Sequence, residues 1–180
     1  MSRFLGIDAS SKSVAFGAVE GDKLLWYGEY YFTGTTFDRR LAEARKLTEA
    51  LAPILYQEVD YICFEKAVMV TNKEVALKLA QTFGAVKSVL VDQPPRLVEA
   101  PPIVWQEKIG NPILKGNARK DFILKHPEWR TASQRSSGVR QYRKDVTRKI
   151  VHKKYGEDIA NDNITDAIAL AMFCQMEIKR

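Results

Sequence analysis

Disulfides and long apolar runs are both scarce in this 180-residue chain. It has two cysteines, Cys63 and Cys174, each set in an apolar run. That excludes a disulfide framework and points to a reducing compartment. No apolar run approaches the roughly 18–20 residues of a membrane span, so no membrane contact is expected. The opening Met1-Ser2-Arg3-Phe4-Leu5-Gly6-Ile7-Asp8 meets an acid too early for a secretory leader. There is no internal repeat, no low-complexity segment and no phosphate-binding glycine loop of the G-x-x-x-x-G-K-S/T kind.

What is present is a soluble, core-forming composition. Apolar residues make up 46% and charged residues 28%, and the length suits a single domain over residues 1–180. The net charge of +6 hides a strong separation. Residues 108–154 carry 14 Lys and Arg against 3 acids, a local charge of +11, whereas the remainder sums to −5. A charge run is often only a solvated face. This one is long, poor in acids and interleaved with Trp129 and Tyr142, as expected of a surface that meets a polyanion such as nucleic acid.

Periodicity gives the element order. Residues 3–9, 13–20 and 23–33 alternate as strands, with Gly21-Asp22 as a hairpin turn, and form an antiparallel meander. In the first strand Leu5, Ile7 and Ala9 face one way and Phe4, Gly6 and Asp8 the other. Residues 37–57 switch to helical spacing, with Leu41, Ala44, Leu47, Leu51 and Leu55 on one stripe. Residues 60–65 read as a buried strand, 72–91 as a helix with Val75, Leu79, Phe83 and Val86 in register, and 96–100 as a fifth strand. Beyond Val104 the pattern weakens to a helical turn at 105–109 and a short helix at 118–125. Residues 128–141, with Ser133, Ser136, Ser137 and Gly138, show little periodicity and read as a mobile basic loop, part of an insertion over about 111–141. Helices at 143–155 and 161–178 follow. Three antiparallel strands followed by α/β crossovers predict an α/β fold of the RNase H-like kind. Its five-stranded mixed sheet has helices on both faces.

The acids fall at informative places. Asp8 closes the first strand and Glu65 the fourth. If those strands are parallel neighbours, both carboxylates leave the same end of the sheet, where ligand sites of open α/β sheets collect. Asp166 stands at the root of an almost wholly apolar helix, with Asp162 and Asn163 four and three residues before it on the same face. A carboxylate there needs a partner, because an unpaired buried charge is costly. Carboxylates converging without histidine or cysteine suit a hard divalent cation. Each acid also has a plainer reading: Asp8 as a turn acid, Glu65 as the partner of Lys66 or Lys73, Asp162 as a helix cap.

These residues resemble the motifs of the RuvC-type Holliday junction resolvases. Phe4-Leu5-Gly6-Ile7-Asp8-Ala9-Ser10 looks like that family's first motif. Phe64-Glu65-Lys66-Ala67-Val68-Met69-Val70-Thr71-Asn72 looks like its glutamate motif, and Ala76–Ala85 like the helix that follows. Asp166-Ala167-Ile168-Ala169-Leu170-Ala171 looks like its aspartate-alanine helix. The resemblance covers residues 3–100 and 142–173. It implies four ligands for two Mg²⁺ ions, with Mn²⁺ able to substitute. Asp8, Glu65 and Asp166 match three of them. The fourth position, three residues before Asp166, holds Asn163, so the ligand there is either Asn163 or the adjacent Asp162, with Asp162 favoured for its charge. The family's aromatic wedge after the glutamate is replaced by Val68 and Met69. Contacts to DNA are expected from these two, from Asn72 and Lys73, and from Lys115, Arg119, Arg140, Arg143 and Lys144, each of which is otherwise an ordinary surface residue.

The resemblance further implies a homodimer that resolves four-way junctions by paired nicks. Helix 72–91 is the candidate dimer face, and the cytoplasm of a bacterium or of a phage host is the setting. Two alternatives use the same fold: a non-catalytic branched-DNA-binding module, suggested by the neutral Asn163, and a general flap or Y-junction nuclease. A sugar-kinase or actin-like ATPase also opens on Gly-Ile-Asp, but needs two related domains, for which 180 residues are too few.

Overall fold

The computed structural model describes residues 1–66, 72–91 and 95–178. The elements are β1 (Phe4–Ala9), β2 (Ser13–Glu20), β3 (Lys23–Tyr31), α1 (Phe37–Glu58), β4 (Tyr61–Glu65), α2 (Lys73–Leu90), β5 (Arg96–Ala100), α3 (Pro102–Lys108), α4 (Gly116–Leu124), α5 (Ala132–Tyr155) and α6 (Asp162–Ile178). The five strands form one sheet in the order β3-β2-β1-β4-β5. The β1–β2 and β2–β3 pairs are antiparallel, and β1–β4 and β4–β5 are parallel. This is the expected mixed sheet.

Strand alternation sorts the core into two layers. Leu5, Ile7, Val14, Phe16, Ile62 and Phe64 pack beneath α1 and α2, against Ala44, Leu55, Val86 and Leu90. Phe4, Val19 and Cys63 pack on the opposite face under α6, with Trp105 of α3 and Val151 of α5. The predicted stripe of α1 is broadly kept, with Ala44 and Leu55 buried. That of α2 turns along the helix: Val86 and Leu90 are core, whereas Val75 and Leu77 are 45% and 60% exposed. Cys63 and Cys174 are buried free thiols. The Cys63 thiol donates to the Cys174 sulfur, and that bond together with burial pushes it up, so it is not poised for chemistry.

The helix that carries Asp166 lies unusually close to the sheet, and two glycines permit it. Gly6 and Gly17 are cross-strand partners. A Cβ on Gly6 would stand 1.8 Å from the Ala167 carbonyl oxygen, and one on Gly17 would stand 2.7 Å from the Ile168 backbone nitrogen. The backbone of α6 therefore rests directly on this pair, and Asp166 is brought down beside Asp8. Gly6→Ala is expected to cost about 3 kcal/mol by overpacking and to lower Tm by about 6–12 °C for a chain of this size. A variant melting within a degree or two of wild type would contradict this contact.

The sequence expectation fails at residues 128–141. From Ala132 onward this stretch is helix, continuous with the expected 143–155 segment, so α5 has 24 residues. Its start is fixed by a capping box in which Thr131 Oγ1 accepts from the Gln134 amide and Gln134 Oε1 accepts from the Thr131 amide. Apolar periodicity is absent because the first three turns of α5 lie mostly against solvent. Where they do meet the rest of the chain, Arg135 Nε donates to the Trp129 carbonyl at 3.1 Å, and the Trp129 ring lies so close above Gly138 that a Cβ there would stand 2.2 Å from it. Trp129 stacks on His126 at 4.0 Å, and Phe122 of α4 packs against His126, Trp129 and Tyr142. These four rings form a small aromatic core that ties α4 to α5.

Candidate active site

Strand register assembles the site. Ile7 pairs with Phe64 across the parallel β1–β4 ladder, so Asp8 and Glu65, the next residues, leave the same end of adjacent strands. On the other side Asp8 pairs with Ala15, and Ala15 with Glu29 of β3. Directly opposed residues share a face. Glu29, Asp8 and Glu65 therefore form a row across the sheet, on the face covered by α6. Asp166 descends from α6 onto this row.

The result is a pocket of about 410 Å³. Asp8, Glu65, Asp166 and Asn163 line it together with Gln106 of α3, and α5 contributes Ser136, Val139, Arg140, Arg143, Lys144 and Thr147. The stretch expected to be a loop thus supplies part of one wall. Asn111, 2% exposed, sets the pitch of that wall: its Nδ2 donates to the Arg143 carbonyl at 2.8 Å and to Thr147 Oγ1 at 2.9 Å. Arg143 also donates to Gln106 Oε1.

Asp162 does not line the pocket. It accepts from Lys144 Nζ at 2.9 Å and from Arg148 Nη2 at 2.6 Å, and so ties α6 to α5. Nor does it cap the helix. Asn161 does that, with Oδ1 accepting from the amides of Asn163 and Ile164. Of the two alternatives for the fourth ligand position, Asn163 is the one on the pocket wall.

The carboxylates strain against one another. Burial, followed by the neighbouring Asp166, Glu65 and Glu29, raises the Asp8 carboxyl well above the usual range, against the pull of Lys144. Burial and Glu65 push Asp166 up to about 7, with Lys144 and Arg143 opposing. Burial also raises Glu65, although Trp105 Nε1 donates to its Oε2 at 2.9 Å. Glu29 behaves in the opposite way. Burial pushes it up, but hydrogen bonds with Ser13, Asn163, Tyr31 and Asn161 outweigh burial and hold it below the usual value.

Glu29 and Trp105 were not among the residues singled out from sequence. Glu29 sits in an aromatic-rich strand with no motif around it, and only cross-strand register brings it to Asp8. Trp105 carried a usable signal, since a buried indole N–H requires an acceptor. The other candidates are dispersed. Asn72 Oδ1 caps α2 by accepting from the Glu74 and Val75 amides, and Lys73, Lys115 and Arg119 are exposed. Val68 and Met69 lie outside the described residues.

A hard cation fits this donor set. Several carboxylates raised by mutual repulsion and burial are what a dication would relieve, and all the donors are oxygen. Among the described residues no three acid, histidine or cysteine side chains stand close enough to cage an ion. That is compatible with magnesium, which keeps several waters and takes one or two carboxylates plus substrate phosphate oxygens. Asp8, Glu65 and Asp166, with the Asn163 carbonyl, would hold it.

No protein-family model matches the sequence, and no curated protein sequence matches it. Solved structures do. A Thermus thermophilus RuvC in complex with a Holliday junction substrate matches over 99% of this chain and 96% of its own, with a TM-score of 0.67 and 14% identity. A second Thermus thermophilus RuvC structure matches over 98% of this chain and 95% of its own, with a TM-score of 0.60 and 16% identity. Among the described residues no helix is long and apolar enough to cross a membrane. The sheet order, the helices on both faces and these whole-length matches assign the chain the RNase H-like fold in the form seen in RuvC.

Proposed function

We propose that the chain is a metal-dependent, structure-selective DNA endonuclease that resolves four-way junctions by paired nicks. The observation that carries this reading is the meeting of Asp8, Glu65 and Asp166 in one pocket under the basic helix α5. The solved RuvC complex holds a Holliday junction substrate, and the same substrate class is proposed here.

Bound magnesium, two ions by family resemblance, would activate water and stabilise the leaving oxygen of a phosphodiester. The chain's own residues supply the rest. Asp8, Glu65 and Asp166 provide the anionic floor. Arg140, Arg143 and Lys144 face the same pocket from α5 and would draw in and orient the scissile phosphate. Trp105 fixes the Glu65 carboxylate through one oxygen and leaves the other for the site. The exposed cations at the start of α4 and in the first turns of α5, among them Lys115 just before α4, Arg119 and Arg135, would contact flanking phosphates. Paired nicks require two sites, so a homodimer is part of the proposal, and the exposed Val75 and Leu77 of α2 are candidates for its surface.

One observation favours a second reading, a non-catalytic branched-DNA-binding module: the neutral Asn163 lines the pocket at the position where the resemblance implies an aspartate or histidine ligand. A labelled mobile four-way junction incubated with magnesium, beside flap and linear duplex controls, separates the two. Paired cuts in the junction alone support the resolvase. Cutting of all branched substrates points to a general nuclease. Binding without cutting favours the module. Junction affinity should also fall steeply between about 50 and 200 mM salt if the 108–154 segment neutralises several phosphates. An affinity indifferent to salt would remove that segment from the interface.

A further inference from the structure

Glu29 is the one carboxylate in the row that is fully engaged by hydrogen bonds. Its Oε1 accepts from Asn163 Nδ2 at 2.7 Å and its Oε2 from Asn161 Nδ2 at 2.5 Å. Asn163 Nδ2 also reaches Ser13 Oγ at 3.5 Å. Asn163 Oδ1 accepts no hydrogen bond among the described residues, and the side chain lines the pocket shared with Asp8 and Asp166.

A carboxamide can be turned either way, but its two ends differ in chemistry. With Oδ1 toward Glu29, two acceptors would face each other and the amide oxygen would repel the half-buried carboxylate. With Nδ2 toward Glu29, the contact is a charge-assisted hydrogen bond. The anion therefore selects the amide orientation. It also polarises the amide, since a donor bonded to an anion makes the carbonyl at the other end a better acceptor. Groups one bond removed from a metal ligand orient that ligand and tune it in this way.

We propose that Glu29 is a positioning residue for the metal site: it holds the Asn163 carboxamide with its carbonyl turned toward Asp8 and Asp166. Through one hydrogen bond it delivers the negative charge that an acid at position 163 would carry. The charge has moved from the helix to the neighbouring edge strand, and the amide relays it. This inference rests on the proposed nuclease reading, because it presumes a cation in the pocket.

The test is manganese binding by the full chain, measured by calorimetry without DNA. Glu29→Gln keeps the shape and removes the charge, and is expected to weaken binding by about tenfold to a hundredfold, the usual cost of losing a group that supports a ligand. Asn163→Ala removes the carbonyl and is expected to lose a similar factor. The double variant Glu29→Gln with Asn163→Asp moves the charge onto the helix and is expected to recover affinity. A purely structural role for Glu29 gives no such recovery. Glu29→Gln with wild-type affinity overturns the proposal, as does a double variant no better than Glu29→Gln alone. Should Glu29→Gln fail to fold, unchanged affinity in Asn163→Ala overturns it equally. A wild-type chain that takes up no manganese at millimolar concentration removes the nuclease reading and this inference together. Wild-type binding that Glu29→Gln leaves untouched removes only this inference.

Discussion

Asp8→Asn is expected to reduce junction cleavage by about a thousandfold or more while leaving junction binding in place. Asp8 lies on β1, the central strand of the sheet, with Glu65, Asp166 and Glu29 all close enough to raise its carboxyl. It is therefore the donor best placed to serve any ion in the pocket. Charge stabilisation by a bound cation contributes several kcal/mol to such a transition state, and each 1.36 kcal/mol is about tenfold in rate. Asparagine keeps the volume and removes the charge, so packing under α6 should survive. Activity and stability should then move in opposite directions, because the substitution also removes a repelled, partly buried anion. Single-turnover cleavage paired with a thermal melt in chelator reads both. Full activity in Asp8→Asn and in Glu65→Gln would sink the catalytic assignment. A variant that loses activity and stability together would point to a structural role for Asp8.

The second large effect is on stability against pH. Without divalent ions the protein should be more stable at pH 5 than at pH 8. Asp166 is pushed up to about 7 in the fold from an ordinary value of 3.8, so the folded state binds its proton more tightly than the unfolded chain does. A raised carboxyl contributes stability that is fully present below its unfolded value and is lost as pH rises through its folded value. Between pH 5 and pH 8 this one group is expected to remove about 2–3 kcal/mol, or about 5–10 °C in Tm for a chain of this size. The raised Asp8 acts in the same direction. Glu29, held below its ordinary value, acts in the opposite sense and only in acid, below that window. Asp166→Asn should flatten the slope, and millimolar magnesium should restore stability at pH 8 more than at pH 5. Melts in chelator that rise steadily from pH 5 to pH 8 would contradict the proposed crowding of carboxylates.

Much of this site was legible in the chain. Asp8 and Glu65 could be read as strand-end acids from period-two alternation. Asp166 could be read as an anion rooted in a core helix from the apolar run after it. Their meeting required only that strands one and four be parallel neighbours, which the crossover connections made the natural arrangement. The stripes of the long helices were less secure, since a periodic pattern does not say where a neighbouring element stops. Val75 continues the α2 pattern and is nevertheless exposed.

The sequence by itself determined the mixed sheet, the strand-end acids and the separation of charge, because each depends on residues close together in the chain or on their alternation. Three further features were decided only by the tertiary structure. The first half of α5 is helix although it buries almost nothing, held by a cap and by an aromatic cluster whose members lie up to 20 residues apart in sequence. Asp162 and Asn163 are neighbours on one helix. Only the packing of α5 against α6 turns the first toward Lys144 and Arg148, while the second remains on the pocket wall. Glu29, 134 residues from Asn163, reaches the site through strand register alone, and no local pattern in β3 marks it. The physical reason is the same in all three cases: a side chain's partner across a sheet or between packed helices is set by contacts between distant segments, and one-dimensional periodicity does not encode them.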